Sequence, residues 1–102
     1  MREDTFKAWL VKQGSLGQRP IGDVISRCKR ICRDLNIDLD NEYTKDGGRS
    51  LIGLLDYTAE DAQRNIPVPK GLKFKPGSNI KNGMASLKAA VSKYFAFCAE
   101  SE

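Results

Sequence analysis

The sequence predicts an all-α protein, a small bundle of four to five helices forming one domain over residues 1–102. Three observations carry this. Apolar residues recur three or four apart in successive segments, the period of a helix with one buried face. No period-two run bounded by hairpin turns occurs, so strands have no support. The length of 102 residues and a hydrophobic fraction of 40% suit a single modest core.

The first helix is expected from residue 4 or 5 to residue 13, capped by Asp4 or Thr5, with Phe6, Trp9 and Leu10 inward. Trp9, the only Trp, reads as a core residue rather than a stacking platform. Gly14 stops the helix, and 14–20 is a loop whose Pro20 suits the first turn of the next helix. That second helix, 21–35, buries Ile21, Val24, Ile25, Cys28, Ile31, Cys32 and Leu35, and Asn36 ends it in the left-handed conformation.

Residues 37–41 read as a turn that can open a short helix, and 45–48 as a loop. Leu51, Ile52, Leu54 and Leu55 predict a third helix over 49–57. Thr58 with Asp61 three positions on is a capping box, starting a short helix through residue 64. Pro67 and Pro69 impose extended backbone on their predecessors. A basic loop with Lys70, Lys73 and Lys75 then runs to residue 78, either gripping phosphates or tucking Leu72 and Phe74 into the core. Ser78 or Asn79 caps the last helix, whose stripe is Ile80, Met84, Leu87, Val91, Tyr94, Phe95 and Cys98. Phe95 and Phe97 cannot share one face of a helix. One of them is therefore expected at the surface, as a contact for a following domain or a second protein. Residues 100–102 are expected to fray.

Composition removes several kinds of chemistry. There is no His, which excludes most zinc sites, His acid–base catalysis and the Ser-His-Asp and Cys-His nucleophiles. Cys28 and Cys32, four apart, are half a zinc site at best, and both fall on the apolar stripe. Asp38, Asp40 and Glu42 are acidic turn residues, whose usual role is capping or solvation. Gly47-Gly48 and Gly14-x-x-Gly17 lack the Lys and the strand-to-helix setting of a phosphate loop. We therefore expect no catalytic residue, cofactor or metal site. No run of about eighteen apolar residues is present, so no membrane span is expected. The N-terminal segment lacks the apolar region of a secretory signal, and three Cys make an odd count. A cytoplasmic location is expected.

What remains is charge. Lys and Arg number 17 against 13 Asp and Glu, a net +4, which acquires meaning only where it clusters. The outer face of the second helix carries Ser26, Arg27, Lys29, Arg30 and Arg33, bordered by Asp23, positioned to pair with Arg27, and by Asp34. The polar face of the last helix carries Lys81, Asn82, Ser86, Lys88, Ser92 and Lys93 and no carboxylate. Two basic helix faces in one small domain point to a binder of nucleic-acid backbone.

The order of segments resembles a known family. Phe6-Lys7-Ala8-Trp9-Leu10 opens the chain, and Asp23-Val24-Ile25-Ser26-Arg27-Cys28-Lys29-Arg30-Ile31 follows. Leu35, Asp38-Leu39-Asp40 and Leu54-Leu55 come next, then Ser86-Leu87-Lys88-Ala89-Ala90-Val91-Ser92-Lys93-Tyr94-Phe95-Ala96-Phe97. Over nearly its whole length the chain is similar to the SAM-like, core-binding N-terminal domain of tyrosine recombinases and phage integrases. The resemblance implies a helical bundle on one side of duplex DNA, from a phage or mobile element. Two of its helices would present the eleven polar residues named above. A full recombinase adds a catalytic domain with Arg, His and a Tyr nucleophile. With no His here, Tyr43, Tyr57 and Tyr94 are not expected to be nucleophiles. The module is expected either to be part of a recombinase or nuclease chain or to stand alone. A rival use of the same bundle is protein interaction, as a phage-encoded inhibitor or a regulatory domain of a defence or restriction system. That use would rest on Phe95, Phe97 or Leu72 as exposed anchors.

Overall fold

A computed structural model describes residues 1–14, 17–74, 77 and 79–101. Lys75, Ser78 and Glu102, assigned above to the basic loop, the last cap and the frayed end, lie outside the described residues. Among the described residues there are six helices and no strand: α1 (Glu3–Gln13), α2 (Gln18–Leu35), α3 (Leu39–Asp46), α4 (Arg49–Leu55), α5 (Ala59–Gln63) and α6 (Ile80–Ser101). The all-α expectation holds. The count reaches six because the turn at 37–41 does open a helix. Asp38 caps α3 by accepting from the amide of Asp40.

Several local signals act as their chemistry dictates. Gly14 and Asn36 close α1 and α2 with positive φ. Thr58 and Asp61 form the reciprocal capping box of α5. The Asn79 side chain accepts from the amide of Asn82 at 3.1 Å, at the start of α6. The start of α1 differs from expectation. Neither Asp4 nor Thr5 caps it; the helix begins at Glu3, and the amide of Arg2 donates to the Tyr94 hydroxyl at 2.9 Å. A residue of the last helix replaces a local cap, while Glu3 and Asp4 still complement the helix dipole in the first turn.

The longest helix, α6, is the axis of the bundle and packs against α1, α2, α3, α4 and α5. This corrects the expectation for Phe95 and Phe97. Two residues apart on a helix, their side chains diverge by about 200°. Both are nonetheless buried, Phe95 at 7% exposure and Phe97 at 1%, because α6 has neighbours on both sides. Phe97 meets Phe6 and Trp9 of α1 with ring centroids 5.5 and 5.9 Å away. Phe95 stacks on Tyr43 of α3 at 6.2 Å. Its ring also fills the space where a side chain on Gly48 would stand, and Gly48 has φ +83°, so glycine is required there twice over.

The α2 stripe is buried as expected through Ile21, Val24, Ile25, Cys28 and Ile31, while Cys32 and Leu35 are half-buried. Leu72 is also buried, so the basic loop is anchored in the core. Among the described residues no helix is long and apolar enough to cross a membrane.

Candidate nucleic-acid interface

The two polar faces expected to act together are unequal. On α6, the exposed positions Ala85, Ala89, Ser92 and Ala96 form a mostly uncharged strip. Ser86, Lys88 and Lys93 flank it half-buried. Lys88 pairs with Asp56 just after α4 at 3.2 Å, and the Ser92 hydroxyl donates to the carbonyl of Lys88 at 2.7 Å. The absence of carboxylates within the α6 face therefore does not leave its charge unopposed, because α4 supplies one. Lys81 and Asn82 stand exposed at the N-terminal end.

On α2 the pairing expected between Asp23 and Arg27 is not among the ion pairs of the described residues. Asp34 engages the arginines instead. Its Oδ2 accepts from Nε of Arg30 at 3.3 Å and its Oδ1 from Nε of Arg33 at 3.1 Å. These bonds, from Arg33 first and then Arg30, hold the Asp34 carboxyl below the usual carboxylate range. Lys29 turns to the other flank and pairs with Glu3 of α1 at 2.9 Å. Arg27 is half-buried and Ser26 exposed, each without an ion pair or hydrogen bond among the described residues.

A third element, the basic loop for which phosphate gripping and core anchoring were both open from the sequence, joins these faces. The chain after α5 returns across α2. At Gly71 it lies so close to the carbonyl of Asp34 that no side chain would fit. Arg30 donates to the carbonyl of Lys73, and its guanidinium sits over the Phe74 ring, 5.0 Å from the centroid. Phe74 in turn occupies the room beside Gly83 of α6, where an added Cβ would come within 2.6 Å of the ring. One aromatic ring thus bridges the basic half of α2 to the first turns of α6. Lys70 and Lys73 are exposed on the bridging segment. The sequence signal was the alternation of Lys with Leu72 and Phe74: apolar residues anchor, lysines stay in water.

Arg30, Arg33 and Lys73 therefore gather on one side of the molecule, with Asp34 as the carboxylate shared by the two arginines. Lys70 lines the groove around Leu54, and Lys81 a separate hollow with Tyr57, Ile66 and Val68. Lys29, Lys88 and Lys93 do not belong to this cluster through any contact of the described residues.

The acidic turn residues have structural work. Asp40 accepts from the Tyr94 hydroxyl at 2.6 Å and from Arg2 at 3.1 Å. Burial opposes its charge, but these two donors outweigh burial and keep its pKa low. Burial pushes the Tyr94 hydroxyl well above the usual phenol range. Burial likewise pushes the Cys28 thiol up to about 12, which makes it inert. Among the described residues no group of His, Cys, Asp or Glu is arranged to hold a metal ion. Comparison with family models, with curated proteins and with solved structures finds no match to this chain.

Proposed function

We propose that the chain is a non-catalytic duplex-DNA-binding module of the integrase core-binding kind, gripping phosphates with basic helix faces. The observation that carries the reading is the bridge from α2 through Phe74 to α6, which brings Arg30, Arg33 and Lys73 together beside the start of α6, where Lys81 is exposed. Arg and Lys in this density supply the phosphate contacts that set affinity and register. Ser26, Arg27 and Asn82, at the margins and without competing partners, are the candidates for base edges. Lys88, Ser92 and Lys93, and Lys29 on the far flank, become secondary contributors. With a net charge of only +4 the isolated module should bind weakly, at roughly micromolar to tens of micromolar. A linked catalytic domain or a second copy would raise affinity through effective concentration.

The test is fluorescence anisotropy with a labelled duplex at low salt. Arg33→Glu and Lys73→Glu are each expected to weaken binding at least about tenfold, whereas Lys7→Glu on α1 changes it far less. Equal losses from all three would remove the basis for a localised face.

Protein interaction is the second reading, and one observation supports it. The anchors first considered, Phe95, Phe97 and Leu72, are buried. Leu54, 52% exposed, instead lines a groove with Leu35, Ile37, Leu51 and Pro69, bordered by Glu42, Ser50 and Lys70. The charge-neutral Leu54→Ser would weaken a partner's binding there and leave DNA affinity unchanged.

A further inference from the structure

We infer that Asp34 is a built-in competitor for the phosphate ligand of the basic face, lowering its affinity while holding two arginines toward one point. The inference rests on the duplex-binding reading above. Its basis is geometric. Arg30 and Arg33 approach different oxygens of one carboxylate, each through Nε, at 3.3 and 3.1 Å. Two guanidinium groups on two oxygens of one anion is also how arginines grip a phosphate.

The carboxylate itself is 19% exposed and lies beneath Arg33, which is 75% exposed. Arg33 therefore has terminal N–H donors facing solvent while its Nε is engaged. Arg30 is more constrained. It is fixed by Asp34, by the carbonyl of Lys73 and by the face of Phe74. A phosphate settling on Arg33 and Lys73 would meet cations already oriented, and also a negative charge directly behind them.

These two effects of Asp34 have opposite signs, and their ranges decide between them. Arg30 keeps its orientation through Phe74 and the Lys73 carbonyl. Arg33, held among the described residues by Asp34 alone, loses its orientation without the carboxylate but regains its Nε donor for the ligand. Repulsion acts on the ligand through a single carboxylate that offsets part of the charge of Arg30 and Arg33, so its removal raises the positive charge of the cluster by one. At about 6 Å and an effective dielectric between that of water and that of a protein surface, its removal is worth at least about threefold in affinity. The net role of Asp34 is therefore to weaken binding.

The experiment compares the wild-type chain with Asp34→Asn, Asp34→Glu and Glu100→Gln, by anisotropy with one labelled duplex across a salt series. Glu100 is exposed near the end of α6, roughly 28 Å along that helix from Lys81, so its change removes equal net charge from elsewhere. Asp34→Asn is expected to bind at least about threefold more tightly at low salt, with the gain shrinking as salt rises. Asp34→Glu should stay within about twofold of wild type, and Glu100→Gln should gain less than Asp34→Asn. Melting temperatures of all four establish that each is folded. Binding by wild type with no gain in Asp34→Asn, or an equal gain in Glu100→Gln, overturns the inference and leaves the DNA reading standing. Absence of binding by every variant overturns both.

Discussion

The hydroxyl of Tyr94 donates a 2.6 Å hydrogen bond to Oδ1 of Asp40, joining the last helix to the third. The same hydroxyl accepts from the amide of Arg2, and the same carboxylate accepts from the Arg2 guanidinium. One tyrosine thus fixes the start of α1 and the first turn of α3 on α6. Asp40 titrates from a lowered pKa, so its contribution to stability is complete above the unfolded value of about 3.9 and is lost as pH falls through the folded value.

The urea midpoint is therefore expected to drop as pH falls below about 4. Asp34 and Asp46 have lowered values too and act in the same direction. In Asp40→Asn the drop should be shallower but not absent. An identical pH profile in that variant would mean the Tyr94–Asp40 bond contributes nothing to folding.

Truncation at α6 should show that both of its aromatic flanks are core. Phe97→Ala is expected to cost about 3–5 kcal/mol, and Phe95→Ala to fall in or just below that range. Val11→Ala, at an exposed position on α1, should stay within about 0.5 kcal/mol. Chemical denaturation measures all three. A near-neutral Phe95→Ala would return that residue to the surface.

Cys28 and Cys32 should react at different rates. Cys28 is fully buried with its pKa pushed up to about 12, so a thiol reagent should label it only as the protein unfolds. Cys32 is half-buried and should label sooner. Mass spectrometry of partially labelled protein resolves the order. Faster reaction at Cys28 would contradict the packing of α2.

The sequence was most legible where the information is local. The α2 stripe, the Asn36 terminus and the Thr58–Asp61 box follow from periodicity and capping chemistry within a few residues. It was least legible where a partner lies far along the chain. The cap of α1 is supplied from Tyr94, and the burial of Phe95 depends on a glycine in the α3–α4 joint. A helical wheel assumes one buried face, and α6 has two because it runs through the middle. The same limit applies to the candidate site. The wheel found Arg30 and Arg33 but could not show that Asp34 holds both. Nor could it bring Lys73 across α2 on the Phe74 anchor.

Duplex DNA is expected to bind the face built from α2, the segment 70–74 and the start of α6. The most direct test is a heteronuclear chemical-shift map of the chain titrated with a short duplex, repeated at two salt concentrations. Shifts are expected to concentrate at Arg30, Arg33, Lys73, Lys81 and Asn82, with an affinity that falls with a log–log salt slope of about −3 to −4. Shifts centred on the groove around Leu54, or no salt-dependent shifts at high micromolar protein, would contradict it.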